Sequence, residues 1–138
     1  VSAPNNIGVF VEKILFLAHV DESGTSLPKT AREVLGLAVD LAAQTNAALV
    51  IGLVGENAEH AASSVASAGA SRILAVSGSD VTYARYASDA AAVEAICRAA
   101  EATVVLAPAT SRCARVLPGV SGRLSGQADT HITSIEVR

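Results

Sequence analysis

The chain has 138 residues, ten of them basic and thirteen acidic, with 51% hydrophobic and 3% aromatic residues. That length suits one domain able to bury roughly two-thirds of its unfolded surface, and so apolar a chain with a net charge of only −3 is not disordered. The slight acidic excess argues against a nucleic-acid partner, which calls for basic surface and stacking aromatics.

Near the amino end, Ile7 to Glu12 (IGVFVE) is strand-like, and Lys13 to Val20 (KILFLAHV) has the branched, apolar content of a buried strand. Together they span fourteen residues, too long for an ordinary strand, so one run is an extra edge strand or appended sequence. Asp21 to Ser26 (DESGTS) is turn chemistry, with Gly24 available for a positive φ. A helix follows. Thr30 with Glu33 forms a capping box, and Ser26 ahead of Pro28 is the competing start. Ala31, Val34, Leu35, Ala38, Leu41 and Ala42 then recur on one face. Ala47 to Val54 (AALVIGLV) predicts a second core strand, ended by Gly55. Ala58, Ala62, Val65, Ala66 and Gly69 form a small-sided helical stripe, which Ala66→Leu would overpack. Arg72 to Val76 predicts a third strand and Ser77 to Asp80 (SGSD) a loop. Asp89 caps a helix whose inner face is Ala92, Val93, Ile96, Cys97 and Ala100. Thr103 to Ala107 (TVVLA) predicts the fourth strand, Ser111 to Leu124 a helix, and His131 to Val137 (HITSIEV) a final strand.

Strand, helix and strand recurring about every thirty residues imply right-handed crossovers and a parallel sheet covered on both faces. The expected fold is a single α/β domain over residues 1–138, doubly wound and Rossmann-like, with a mostly parallel sheet. Twenty-eight alanines, with no Met and no Trp, make a core of small and β-branched residues. No apolar run approaches the ~20 residues needed to cross a bilayer. Val1 to Asn6 carries no basic cluster ahead of an apolar run, so no signal peptide is expected. Cys97 and Cys113 lie sixteen apart with no CxxC spacing. They suit a reduced cytoplasmic setting, or the mitochondrial matrix in a eukaryote.

Catalytic templates fail. There is no Gly-x-Gly for a dinucleotide turn and no Gly-Lys pair for a phosphate loop. Val120 to Gly122 (VSG) is followed by Arg123, so the nucleophile-elbow spacing is missed. His19, His60 and His131 stand singly, without the short ligand spacing of a metal site. Cys97 falls on an apolar helix face as a small core residue. Arg112 and Arg115 flank Cys113, which is either a structural residue or a thiol with its pKa depressed by those charges.

Charge is unevenly distributed. Residues 1–102 hold eleven acids and six bases, a net of −5, whereas 103–138 hold two acids and four bases, a net of +2. The positive part begins at the carboxyl end of a core strand, where ligands and partners of open α/β sheets gather. Ala107 to Ser111 (APATS) leads into a helix whose free N–H groups suit an anion. There Thr110 and Ser111 are candidate anion-binding residues, or one of them simply caps the helix. Arg112, Arg115 and Arg123 project from one side of that helix if Pro118 only kinks it.

The stretch Ala107 to Leu124 (APATSRCARVLPGVSGRL) resembles the amino-terminal domain of the electron transfer flavoprotein alpha subunit. Pro108, Thr110, Val116, Leu117, Pro118, Val120 and Leu124 match that family's pattern. Leu15 to Leu27 is similar to its opening strand and acidic turn, and Leu53 to Gly55 to its second-strand glycine. Tyr86 to Asp89 resembles its step into a helix, and Asp129 to Ile135 its exit segment. Three departures stand out: Gly119 replaces an arginine, Cys113 a glycine, and Ser121 with Gly122 two alanines.

The resemblance implies a non-catalytic scaffold that docks on the electron transfer flavoprotein beta subunit through Arg112, Arg115, Pro118 and Arg123. It also implies FAD in the full protein, which passes electrons from flavin-dependent dehydrogenases to an acceptor. The family's flavin signatures belong to a separate carboxyl-terminal domain with no counterpart in these residues, so this chain is expected to bind no cofactor and no metal. The alternative is a stand-alone adenine-nucleotide-binding module of universal-stress type. Gly119 and Gly122 fit that pattern's first two glycines, but its third falls on Ile132.

Overall fold

A computed structural model describes residues 12–21, 26–81 and 83–129. Four strands alternate with four helices: β1 (Lys13–His19), α1 (Lys29–Thr45), β2 (Ala48–Val54), α2 (Ala58–Ser64), β3 (Arg72–Val76), α3 (Tyr86–Ala100), β4 (Val104–Leu106) and α4 (Ser111–Arg123). Short 3-10 turns cover Ala66–Ala68 and Ser79–Val81. The strands lie in the order β3-β2-β1-β4, and every pairing is parallel. The expected strands at Ile7–Glu12 and His131–Val137 lie outside the described residues, apart from Glu12.

Burial on both faces explains the unbroken apolar strands. Ile14, Phe16 and Ala18 of β1 join Leu49, Ile51 and Leu53 of β2 beneath Ala31, Leu35, Ala38 and Ala42 of α1 and Ala58 and Ala61 of α2. The alternate residues Leu15 and Leu17, with Val50, pack on the opposite side against Val93, Ile96 and Ala100 of α3 and Val116 and Val120 of α4. The sheet is thus a doubly wound layer with two helices on each face, as the sequence pattern predicts.

Three local expectations need correction. α1 has Pro28 as its N-cap with no side-chain cap bond, so the Thr30–Glu33 capping box does not form. Ser26 is engaged elsewhere, its hydroxyl donating to Asp21 Oδ2 at 2.6 Å. Asp89 is not the cap of α3 either; Arg85 holds that position, and Asp89 lies within the first turn. The third correction concerns the small-sided stripe. α2 stops at Ser64, and the chain tightens into the 3-10 turn before Gly69 takes a left-handed φ of 85°. Ala58 and Val65 of the expected stripe are buried, but Ala66, in the 3-10 turn, is exposed, and Ala61 completes the buried face.

Pro118 does not break α4, which runs on to Arg123. The proline withholds one N–H from the Ala114 carbonyl, and Ala114 is exposed, so water can satisfy it.

Ala61→Leu is therefore the overpacking substitution, expected to cost about 1–3 kcal/mol. Ala66→Leu should stay within about 0.5 kcal/mol of the parent. Urea midpoints of the two variants check the assignment, and the reverse ranking would contradict it.

Candidate functional site

In this strand order the chain leaves β1 toward β2 on one side, while β4 lies on the other. The carboxyl ends of β1 and β4 therefore flank the topological switch point, where open α/β sheets place their ligands and partners. His19 ends β1, and the loop after β4 runs through Pro108 to Thr110 into α4. Thr110 is the α4 N-cap: its side chain accepts from the Cys113 backbone N–H at 3.2 Å. Ser111 is exposed beside it.

Cap geometry turns Cys113 inward, where it is 2% exposed. Its Sγ lies 3.7 Å from His19 Nδ1. Behind the imidazole stands Asp89 of α3, whose Oδ1 is 3.9 Å from His19 Nε2. Asp89 is 1% exposed, and Arg112 holds it with two bonds: Nε donates to Oδ2 and Nη2 to Oδ1, each at 2.7 Å. The same Nη2 donates to the carbonyls of Val81 at 2.8 Å and Tyr83 at 3.2 Å. One guanidinium thus ties α4 to the first turn of α3 and to the backbone that precedes it. The bidentate geometry is what arginine, and not lysine, supplies.

The protonation states follow from burial. Desolvation, reinforced by the Arg112 charge and opposed by Asp89, lowers the His19 pKa from 6.5 to about 4. Burial raises the Cys113 thiol, outweighing the lowering by Thr110 and Arg112. The flanking arginines therefore do not depress it. The pair is a neutral imidazole beside a protonated thiol, not an activated nucleophile and base. His19 Nε2 is buried without a hydrogen-bond partner. Cys97 is also buried, its pKa pushed up to about 11 by desolvation and by Glu94. Among the described residues no group of three His, Cys, Asp or Glu side chains is arranged to hold a metal ion.

The expected row of projecting arginines is divided. Arg112 turns inward to Asp89, and Arg123 Nη1 donates to Glu94 Oε1 of α3 at 3.2 Å. Arg98 Nε donates to the other oxygen of Glu94 at 3.0 Å, and these bonds, Arg98 first, hold the Glu94 carboxyl below its usual range. Arg115 and Pro118 remain exposed. Missed from the sequence is the meeting of His19, Asp89 and Arg112. Asp89 and Arg112 lie twenty-three residues apart, and no local spacing marks them as partners. A second concavity follows the outer side of β4, lined by Ile14, Cys97, Val104, Leu117, Val120 and Leu124. None of the arginines of α4 enters it.

The family model of the electron transfer flavoprotein domain matches residues 17–138, so the chain belongs to that family. No curated protein matches the chain. The resemblance-bearing residues divide clearly. Pro108, Val116 and Val120 are buried, Leu117 and Leu124 are half-buried, and Thr110 is the cap. They record how α4 packs.

The lowered His19 pKa has a pH consequence. Its contribution to stability is complete above about pH 6.5 and is lost as pH falls toward 4, by up to roughly 1.4 kcal/mol per pH unit. Urea unfolding of His19→Asn and the parent between pH 7 and 4 should show a shallower loss in the variant. Parallel slopes would contradict the assigned pKa.

Proposed function

We propose that this electron transfer flavoprotein domain is of the alpha, amino-terminal type and is a non-catalytic docking scaffold. On this reading it docks on a beta subunit and supports FAD-mediated transfer of electrons from flavin-dependent dehydrogenases. The observation that carries the reading is the state of the described residues at the switch point: His19 and Cys113 are neutral and largely buried, and Asp89 is buried and paired with Arg112. Arg115, Pro118 and the half-exposed Arg123 are left at the surface to meet a partner. A reduced compartment, cytoplasmic or matrix, is part of the same reading, supported by two cysteines that are both free. No helix among the described residues is long and apolar enough to cross a membrane.

In the full protein the flavin would supply the one- and two-electron chemistry. The described residues do not fit it. The loop 107–110 contains no glycine to let a cofactor approach its backbone. The space beside Gly55, at the end of β2, is filled by Val20. These two features support a reading in which the cofactor belongs to another part of the assembly. The adenine-nucleotide alternative has less support, because Gly119 and Gly122 lie inside α4 and not in a loop open to phosphate. Anion binding at Thr110 and Ser111 stays with that alternative.

Titration of the purified chain with FAD should leave the flavin spectrum and fluorescence unchanged, whereas mixing with a beta-type subunit should give a stable complex. A stoichiometric yellow chain, formed without any partner, would overturn the assignment.

A further inference from the structure

We propose that the docking surface is centred on Tyr83 and Tyr86, flanked by Arg85 and Arg115, and that it takes an acidic patch of a partner subunit. The proposal rests on the docking reading above and gives that surface its place and chemistry. The chain has two tyrosines, and both are exposed, Tyr83 at 72% and Tyr86 at 43%. The other large hydrophobic exposed among the described residues is Leu37, on α1 across the sheet. Tyrosines on a surface supply large contact area with a polar tip, and they recur with arginine where binding energy concentrates.

The backbone that carries Tyr83 and the side chain of Tyr86 are held in place. Arg112, anchored on buried Asp89, donates to the backbone carbonyl of Tyr83. Tyr86 opens α3, and its hydroxyl lies over Gly119, where a Cβ would overlap it. The tyrosine thus occupies the room that Gly119 leaves. An arginine in place of Gly119 would displace the tyrosine, so the two residues form one fitted contact. Arg115 lies one helical turn before Gly119 on the same face of α4. Such pre-organisation lowers the entropy lost on association.

Charge selects the partner. Arg85 and Arg115 are exposed. The acids that face this region from α3 are already engaged, Asp89 by Arg112 and Glu94 by Arg98 and Arg123. The exposed acid nearest in the chain is Asp80, on the preceding 3-10 turn. Among the described residues, two cations against one acid beside two tyrosines favour a carboxylate-bearing protein surface, with rim charges that act on the association rate.

The test measures association of the chain with a beta-type electron transfer flavoprotein subunit at low and high salt, using folded variants checked by circular dichroism. Tyr83→Ala and Tyr86→Ala should each weaken the complex at least tenfold. Arg85→Glu should slow association several-fold at low salt and less at high salt. Leu37→Ser, on the opposite face, should bind as the parent does. A parent complex with unchanged binding in Tyr83→Ala and Arg85→Glu would overturn this surface and leave the docking function standing. No complex with the parent chain would overturn both.

Discussion

The Asp89–Arg112 pair is the constraint on which the carboxyl end of the sheet depends. A buried carboxylate is costly unless it is paired and hydrogen-bonded. Here both oxygens receive a donor from one guanidinium, and that guanidinium also satisfies two backbone carbonyls. Such a pair adds little net stability compared with a well-packed apolar replacement. Removing one partner, however, typically costs about 3–5 kcal/mol, because a charge is left buried alone. Its contribution is therefore positional. It fixes α3 against α4 and sets the chain near Tyr83.

The neighbouring polar groups follow from that arrangement. Burial in the apolar core, reinforced by the Arg112 charge, disfavours a charge on His19, so the imidazole is neutral. Cys113 stays a thiol under the same burial. Among the described residues at the switch point, His19, Asp89, Arg112 and Cys113 are engaged with one another. What remains at the surface is the outer face of α3 and α4, with two exposed tyrosines and with Arg85 and Arg115, which have no acidic partner among the described residues. This contrast between paired interior groups and an exposed aromatic face is what the proposed docking function rests on.

Much of the fold was legible in the sequence because parallel strands buried on both faces leave unbroken apolar runs. Lys13 to His19 and Ala48 to Val54 were found within a residue of their observed ends. Errors came where local chemistry had a competing use. Ser26 bonds Asp21 instead of starting α1, Asp89 binds Arg112 instead of capping α3, and a 3-10 turn moves Ala66 out of the core. The site was less legible for the same reason. An arginine in a basic stretch looks solvated until its partner, on another helix, is placed beside it. Arg115 and Pro118 lie at the surface, whereas Arg112 is an internal brace.

Hydrogen–deuterium exchange of the chain, alone and with a beta-type subunit, tests the central claim most directly. Docking through the α3–α4 face predicts added protection at residues 83–87 and 115–122, with exchange in α1 unchanged. Protection confined to α1 and α2, or no protection in a complex that demonstrably forms, would contradict it.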